Sequence, residues 1–182
     1  MTSLDHELAR ETALWGSRGL RRQIDDGDSD RDLTDFVSND YLGLARHAEV
    51  VAAARSAMEE HGVGCGASRL LGGGTPVHAA AEQRAADWLG TATALLFPSG
   101  YQANLGVVTA LVGRGDAVFS DQLNHASLVD AARLSRARVH VFPHLDLEAL
   151  ERQLAAERGA RRRLVLIESV YSMDGDLAPL TD

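Results

Sequence analysis

Short apolar runs and amphipathic stretches alternate along the second half of the chain. The apolar runs predict strands at residues 117–120, 138–142 and 163–168. Between them, apolar residues at helical spacing predict helices at residues 126–134 and 146–157. This alternation is typical of a mostly parallel sheet with helices on both faces, so we predict an α/β fold.

The first half of the chain has a less regular pattern. A loosely amphipathic helix is predicted to open at Thr2 or Ser3, and residues 33–37 predict a short strand. Ser, Asn and Asp in residues 38–44 indicate a compact turn held by side-chain to backbone hydrogen bonds.

Two further helices are predicted before the regular part begins. One covers residues 48–60, and the other starts at Pro76 and ends near residues 88–90. Six glycines between residues 62 and 74 rule out a regular element there and allow the backbone to approach a ligand or a second subunit closely. The predicted buried stripe of the first of these helices consists of Val50, Val51, Ala54 and Met58.

The turn at residues 99–101 is the first candidate for binding. Residues 94–97 predict a buried strand and residues 102–112 can continue as a helix, which places Gly100 and Tyr101 between them. Free N–H groups and the helix dipole attract an anion at such a turn, and Gly100 has no side chain to block its approach. The Ser99 hydroxyl can add another donor, so the turn is a candidate phosphate site.

Three polar segments follow predicted strands and are expected at one edge of the sheet. They are residues 99–101, 121–127 and 169–176. Right-handed crossovers bring the carboxyl ends of parallel strands together, and ligands of such sheets bind along that edge.

His125 and Ser172 are the candidate chemical groups at this edge, and each has two interpretations. His125 either caps the helix that follows it or presents a flat ring for stacking and proton exchange. Ser172 either satisfies its own loop or binds a ligand. Glu168 ends an apolar strand, so its charge should emerge at the edge or find a partner, whereas His78 is expected to be structural.

Composition excludes several classes of function. A net charge of −8 argues against nucleic acid or an anionic membrane as the main partner. No signal peptide and no apolar run long enough to span a bilayer is visible, and Cys65 is the single cysteine, so we expect a cytoplasmic protein without disulfides. No residue cluster has the spacing of a metal site.

All 18 basic residues are arginines, and the chain contains no lysine. It therefore cannot form a lysine Schiff base by itself.

Five motifs, in order, resemble one enzyme family. They are Ser-Asn-Asp-Tyr-Leu-Gly-Leu from residue 38, Gly-Ala-Ser-Arg from 66, Phe-Pro-Ser-Gly-Tyr from 97, Leu-Asn-His-Ala-Ser from 123 and Glu-Ser-Val-Tyr-Ser-Met-Asp-Gly-Asp from 168. The sequence resembles the α-oxoamine synthases, pyridoxal-phosphate enzymes of aminotransferase fold type I. The resemblance implies a type I aminotransferase-like large domain, here incomplete, behind an N-terminal helical segment.

Within this family, the second and fourth motifs are most similar to the member that makes 8-amino-7-oxononanoate for biotin. The resemblance implies that L-alanine and a pimeloyl thioester condense with loss of CO2, with pyridoxal 5'-phosphate as cofactor and a homodimer as the full-length form. Gly100, Tyr101, His125 and Ser172 would bind the cofactor. His125 would also act in catalysis and contact the substrate, which Arg21 would help to bind.

The resemblance places the Schiff-base lysine downstream of the last motif, in residues that this chain does not have. We therefore expect residues 1–45 to form a helix and strand segment, residues 46–182 to be part of the cofactor-binding domain, and the chain alone to be inactive. Two alternatives remain open: a family member that uses glycine and another acyl-CoA, and a noncatalytic partner subunit of a lysine-bearing homologue.

Overall fold

The central strand, β1 (Ala117–Asp121), is buried along its whole length. In this computed structural model, which describes residues 2–22, 34 and 36–180, β1 pairs in parallel with β2 (Arg138–Phe142) and with β3 (Arg163–Leu166). The strand order is β2-β1-β3. The three predicted strands and their parallel pairing are confirmed, although β3 ends two residues earlier than predicted.

Helices cover both faces of this sheet. Val118 points to one face and packs with Val108 of α4 (Gly100–Leu111) and Ala131 of α5 (Ala126–Leu134). Phe119, its neighbour on β1, points to the opposite face, where Ala149 of α6 (Leu147–Ala156) packs with it. The predicted α/β fold with two covered faces is therefore confirmed.

The chain divides into two units, Met1–Gly64 and Cys65–Asp182. The first contains α1 (Ser3–Ser17) and α2 (Ala48–His61), and the second begins with α3 (Pro76–Leu89). Thr2 caps α1 by accepting the Asp5 N–H at 3.2 Å, as its position before the apolar pattern predicted. The predicted domain boundary after residue 45 stays a prediction.

The buried stripe predicted for α2 is wrong. No residue of α2 is buried, and Val50 and Met58 are 47% and 48% exposed. An amphipathic stripe is buried only where another element covers it. Within its own unit, α2 packs against the short 3-10 turn Leu44–Arg46, which is too small to do so.

The strand predicted at residues 33–37 is not supported where the structure describes it. Leu33 and Asp35 lie outside the described residues, while Phe36 and Val37 form a bend and are each 91% exposed. The compact turn after it is confirmed, because the Asp40 carboxylate accepts the Leu44 N–H at 2.8 Å.

The strand predicted at residues 94–97 is also wrong. Side chains, instead of a neighbouring strand, bind the backbone there. The Leu96 N–H donates to Glu82 Oε1 at 2.8 Å, and the Leu96 carbonyl accepts from Arg69 Nη1 at 3.3 Å. Phe97 instead packs against α4, where a Cβ on Gly106 would come within 2.9 Å of the Phe97 ring. This contact places the 99–101 turn at the start of α4.

The glycine-rich segment uses at least one glycine to pack against itself. A Cβ on Gly73 would come within 1.9 Å of the Ala67 carbonyl oxygen, and the Gly73 N–H donates to the Ser68 carbonyl at 2.8 Å. Only glycine fits a backbone approach of this kind.

An ion pair between a buried carboxylate and an exposed guanidinium closes the amino-terminal end of the sheet. Asp116, fully buried, accepts from Arg161 Nε at 2.9 Å and from Nη2 at 2.7 Å, and it also accepts the Gly113 N–H at 2.8 Å. The Arg161 guanidinium holds the pKa of Asp116 well below its usual range.

A second buried carboxylate organises the opposite end. Asp121, at the end of β1, accepts from the N–H groups of Leu123 and Leu145 at 2.8 and 2.9 Å and from His144 Nδ1 at 2.9 Å. Burial acts to raise the pKa of Asp121, but these hydrogen bonds outweigh it and the pKa lies below its ordinary value. His144 Nε2 lies 3.2 Å from Asp176. His144 therefore ties the loop after β3 to β1.

The ion pair at Asp116 predicts a stability change. Replacing Asp116 with Asn removes the buried charged acceptor of Arg161 and of the Gly113 N–H, so we expect the Tm to fall by roughly 5–10 °C at neutral pH. The stabilisation is present above the ordinary carboxyl pKa of 3.8 and is lost as the pH falls through the lowered value. Thermal unfolding followed by circular dichroism measures both effects. The control Glu148→Gln removes an exposed ion pair with Arg152 and should leave Tm nearly unchanged; equal Tm values for the two variants contradict the prediction.

His144 predicts a pH dependence of the opposite sign. Its pKa is raised, first by the hydrogen bond to Asp121 and further by Asp176. The resulting stabilisation is complete below the ordinary pKa of 6.5 and is lost as the pH rises through the raised pKa. We expect the Tm of the wild type to fall over that window and the Tm of His144→Gln to stay flat there. Asp176→Asn, which keeps Asp121, should show a smaller decline that ends at a lower pH than in the wild type. An identical decline in His144→Gln would contradict the assignment.

Candidate functional site

The turn at the start of α4 has free donors. Ser99 caps the helix by accepting the Gln102 N–H at 3.2 Å, which leaves the Ser99 hydroxyl proton available. Among the described residues, the N–H groups of Gly100 and Tyr101 have no hydrogen-bond partner. A Cβ on Gly100 would meet no atom within 4 Å, so the space above the turn is open. These donors fit a phosphate group.

His125 is the N-cap residue of α5. Its Nδ1 accepts the Ser127 N–H at 3.2 Å and lies 2.8 Å from Ser127 Oγ. The backbone N–H of His125 donates to the Glu168 carboxylate. The capping interpretation of His125 is thus confirmed. The Glu168 carboxylate also has the partner that we expected, which is the backbone N–H of His125. Capping uses only the Nδ1 atom at the edge of the imidazole, so the face of the ring stays available for stacking.

The turn and the imidazole are neighbours. The rings of Tyr101 and His125 have centroids 6.3 Å apart and meet edge to face at 77°. The Tyr101 hydroxyl donates to Asp130 of α5, and this hydrogen bond raises the pKa of Tyr101. The pair gains its position from the close packing of α4 on α5.

Ser172 lies beside His125 in a small cavity of about 130 Å³. The loop after β3 carries Ser172. The neighbouring Tyr171 is buried, and its ring meets the His144 ring edge to face with the two centroids 4.5 Å apart. Burial raises the pKa of Tyr171. Within the part of the chain that the structure describes, the Ser172 hydroxyl has no hydrogen-bond partner, so its own loop does not satisfy it. The cavity is lined by Leu123, His125, Glu168, Tyr171, Ser172, Met173 and Asp174.

The structure thus brings four of the five predicted site residues together in one unit. Tyr101, next to Gly100, meets His125, and His125 shares a cavity with Ser172. Arg21 is exposed and belongs to the other unit, so its role stays a prediction. His78 is structural, as predicted, because its Nδ1 accepts the Thr75 N–H at 3.3 Å in the cap of α3.

A larger apolar cavity of about 850 Å³ was not anticipated from the sequence. Its walls include Leu70, Leu95 and Pro98, the residue before Ser99. Arg69 lies at this cavity and pairs with Glu82 at 2.5 Å. The hydrogen bond from Arg69 lowers the pKa of Glu82 to about 2.

Sequence reasoning missed the residues that support the site. Asn104 donates to Ser127 Oγ at 2.8 Å, and His144 holds the Ser172 loop through Asp121 and Asp176. The available signal was position: Asn104 lies one helical turn after Gly100, and Ser127 lies two residues after His125.

Two absences concern the described residues alone. No group of three or more His, Cys, Asp or Glu side chains there could hold a metal ion. No helix in the same ranges has the length and apolar character needed to cross a bilayer.

Comparisons with known proteins show what the chain is similar to. The chain is 54% identical over 165 residues to 8-amino-7-oxononanoate synthase of Geobacter sulfurreducens, covering 91% of this chain and 41% of the relative. It is 56% identical over 154 residues to the enzyme of the same name from Nitrosospira multiformis, covering 85% and 39%. The chain therefore spans about two-fifths of the length of the curated relatives that it matches.

A solved structure also matches the fold. A serine palmitoyltransferase from S. paucimobilis with a bound PLP-myriocin aldimine superimposes with a TM-score of 0.74 and 38% identity. The match covers 77% of this chain and 35% of that one. Pyridoxal phosphate, the predicted cofactor, is confirmed as the cofactor that goes with this family. The family model described as "Aminotransferase class I and II" matches residues 31–182, so the chain belongs to the class I and II aminotransferase family.

Proposed function

We propose that this chain supplies the cofactor-contacting part of an 8-amino-7-oxononanoate synthase, which condenses L-alanine with a pimeloyl thioester and releases CO2. One observation carries the proposal. The turn with the free N–H groups of Gly100 and Tyr101 lies beside the His125 ring, and this ring shares a cavity with Ser172. Identities of 54% and 56% to curated synthases of this name support the choice of reaction.

The residues of the site suit this role in complementary ways. The N–H groups of Gly100 and Tyr101 bind the phosphate at the positive end of α4. The His125 ring stacks on the pyridine, and its free edge holds or transfers a proton near the substrate. Ser172 donates a hydrogen bond from the loop that His144 fixes. When bound, pyridoxal phosphate supplies the electron sink for the carbanion chemistry.

The covalent link to the cofactor must come from outside these 182 residues, because the chain has no lysine. The chain therefore binds the cofactor by contacts alone and is inactive by itself. Arg21, the cytoplasmic location and the homodimer stay predictions of the family resemblance.

Two alternative functions remain. In one, the same site serves glycine and another acyl-CoA. In the other, the chain is a noncatalytic partner of a lysine-bearing homologue. The presence of open phosphate donors at Gly100 and Tyr101 favours a role in cofactor binding over a role in assembly alone.

We predict that the purified chain binds pyridoxal 5'-phosphate reversibly. Equilibrium dialysis should detect binding, and borohydride reduction followed by mass spectrometry should find no side-chain adduct, because no lysine is present. His125→Asn keeps a good helix cap but removes the aromatic ring, so it should weaken binding about threefold to tenfold. His140→Asn, a histidine of β2 that stacks on Phe119 away from the site, is the matched control and should leave binding unchanged. Equal affinities of the wild type and His125→Asn would contradict the proposed stacking.

A chimera tests the reaction itself. The chain alone should release no CO2 from carboxyl-labelled L-alanine with pimeloyl-CoA, whereas a fusion to the remaining part of the Geobacter sulfurreducens synthase should do so. In this chimera, His125→Asn should lower kcat/KM by about 10²–10⁴-fold, the usual contribution of a proton-transfer residue. An active fusion that prefers glycine and a shorter acyl-CoA favours the first alternative. A fusion that folds and binds cofactor but has no activity with either substrate pair favours the partner subunit.

A further inference from the structure

Three polar side chains connect α4 to the His125 ring. Asn104 Nδ2 lies 2.8 Å from Ser127 Oγ, and Ser127 Oγ lies 2.8 Å from His125 Nδ1. Ser127 is only 1% exposed, so water does not compete for these bonds. The arrangement joins the helix that begins at the phosphate-binding turn to the imidazole of the candidate site.

The backbone fixes the direction of these hydrogen bonds. The Ser127 N–H, which can only donate, points at His125 Nδ1 at 3.2 Å. His125 Nδ1 must therefore present its lone pair. The Ser127 hydroxyl, facing the same lone pair, must donate its own proton, and its oxygen then accepts from the Asn104 amide. The Ser127 hydroxyl thus donates to His125 and accepts from Asn104, which gives each of these two hydrogen bonds one direction.

We propose that Asn104 and Ser127 are positioning residues of His125. The relay from the Asn104 amide through the Ser127 hydroxyl to His125 Nδ1 fixes the neutral ring in the Nε2–H tautomer and holds its plane. Within the described ranges, His125 Nε2 has no hydrogen-bond partner, so this nitrogen is the one left to exchange a proton with a bound molecule. The proton exchange at Nε2 rests on the proposed function, whereas the assignment of the tautomer does not.

The tautomer can be measured directly in the 182-residue chain. Histidine labelled with 15N gives two-bond correlations that distinguish a protonated ring nitrogen from one that carries a lone pair. His125→Asn identifies the signals of this ring among the seven histidines. In alkaline buffer, where imidazole is neutral, we expect the proton on Nε2 and the lone pair on Nδ1.

Two substitutions test the relay. Asn104→Asp replaces the amide donor with an acceptor and turns the Ser127 hydroxyl away from His125, so the ratio of the Nε2–H to the Nδ1–H form should fall at least about fivefold. Ser127→Ala removes the hydroxyl but keeps the backbone donor, and we expect a smaller fall of about twofold to fivefold. Ser127→Thr keeps the hydroxyl and should retain the wild-type ratio. Gln83→Glu, the same exchange on the exposed surface of α3, is the charge control.

The outcomes separate the relay from the proposed function. A wild-type ring with its proton on Nδ1 overturns the relay, whatever the variants do. An unchanged ratio in a folded Asn104→Asp or Ser127→Ala chain, with wild-type circular dichroism, also overturns it. If the tautomer follows the prediction but the chain binds no pyridoxal phosphate, the relay stands and the proposed function fails. If the chain binds pyridoxal phosphate but the tautomer ratio does not change in the variants, the proposed function stands and the relay fails.

Discussion

A buried negative charge at the end of the central strand determines the arrangement of the site. Asp121 lies where β1 leaves the sheet, and its carboxylate is 1% exposed. A charge in this position is tolerated only when donors surround it. The donors come from separate segments: the Leu123 N–H from the loop before α5, and His144 and the Leu145 N–H from the loop after β2. The hydrogen bonds to the Asp121 carboxylate therefore bring two loops to the same edge of the sheet. His144 adds the loop after β3 through its contact with Asp176.

This constraint explains unusual features of the neighbouring loops. Leu145 has a φ of 55°, in the left-handed region that leucine seldom adopts. Its N–H must point at Asp121, and the hydrogen bond offsets the backbone strain. The same loop directs His144 towards Tyr171 and the segment that carries Ser172. The edge that carries the candidate site thus depends on a charge that contacts no ligand in the proposed function.

Local signals were sufficient for much of this architecture. The bounds of α5 and β2 were predicted to the residue, because alternation and caps are encoded within a few positions. The strand at residues 94–97 failed because side chains of Glu82 and Arg69, distant in sequence, take the hydrogen bonds of Leu96. The position of His125 at the ligand edge followed from topology, whereas its partner Asn104 depends on how two helices pack, which periodicity does not specify.

Two side-chain hydrogen bonds join α4 to α5, the helices on which the candidate site lies. Tyr101 bonds to Asp130, and Asn104 bonds to Ser127 one turn further along α4. Two attachments of this kind restrict the rotation of one helix against the other. These bonds consequently hold the proposed phosphate-binding turn and the His125 imidazole in a fixed arrangement. A movement that admits or releases a ligand is therefore expected in segments outside this pair of helices.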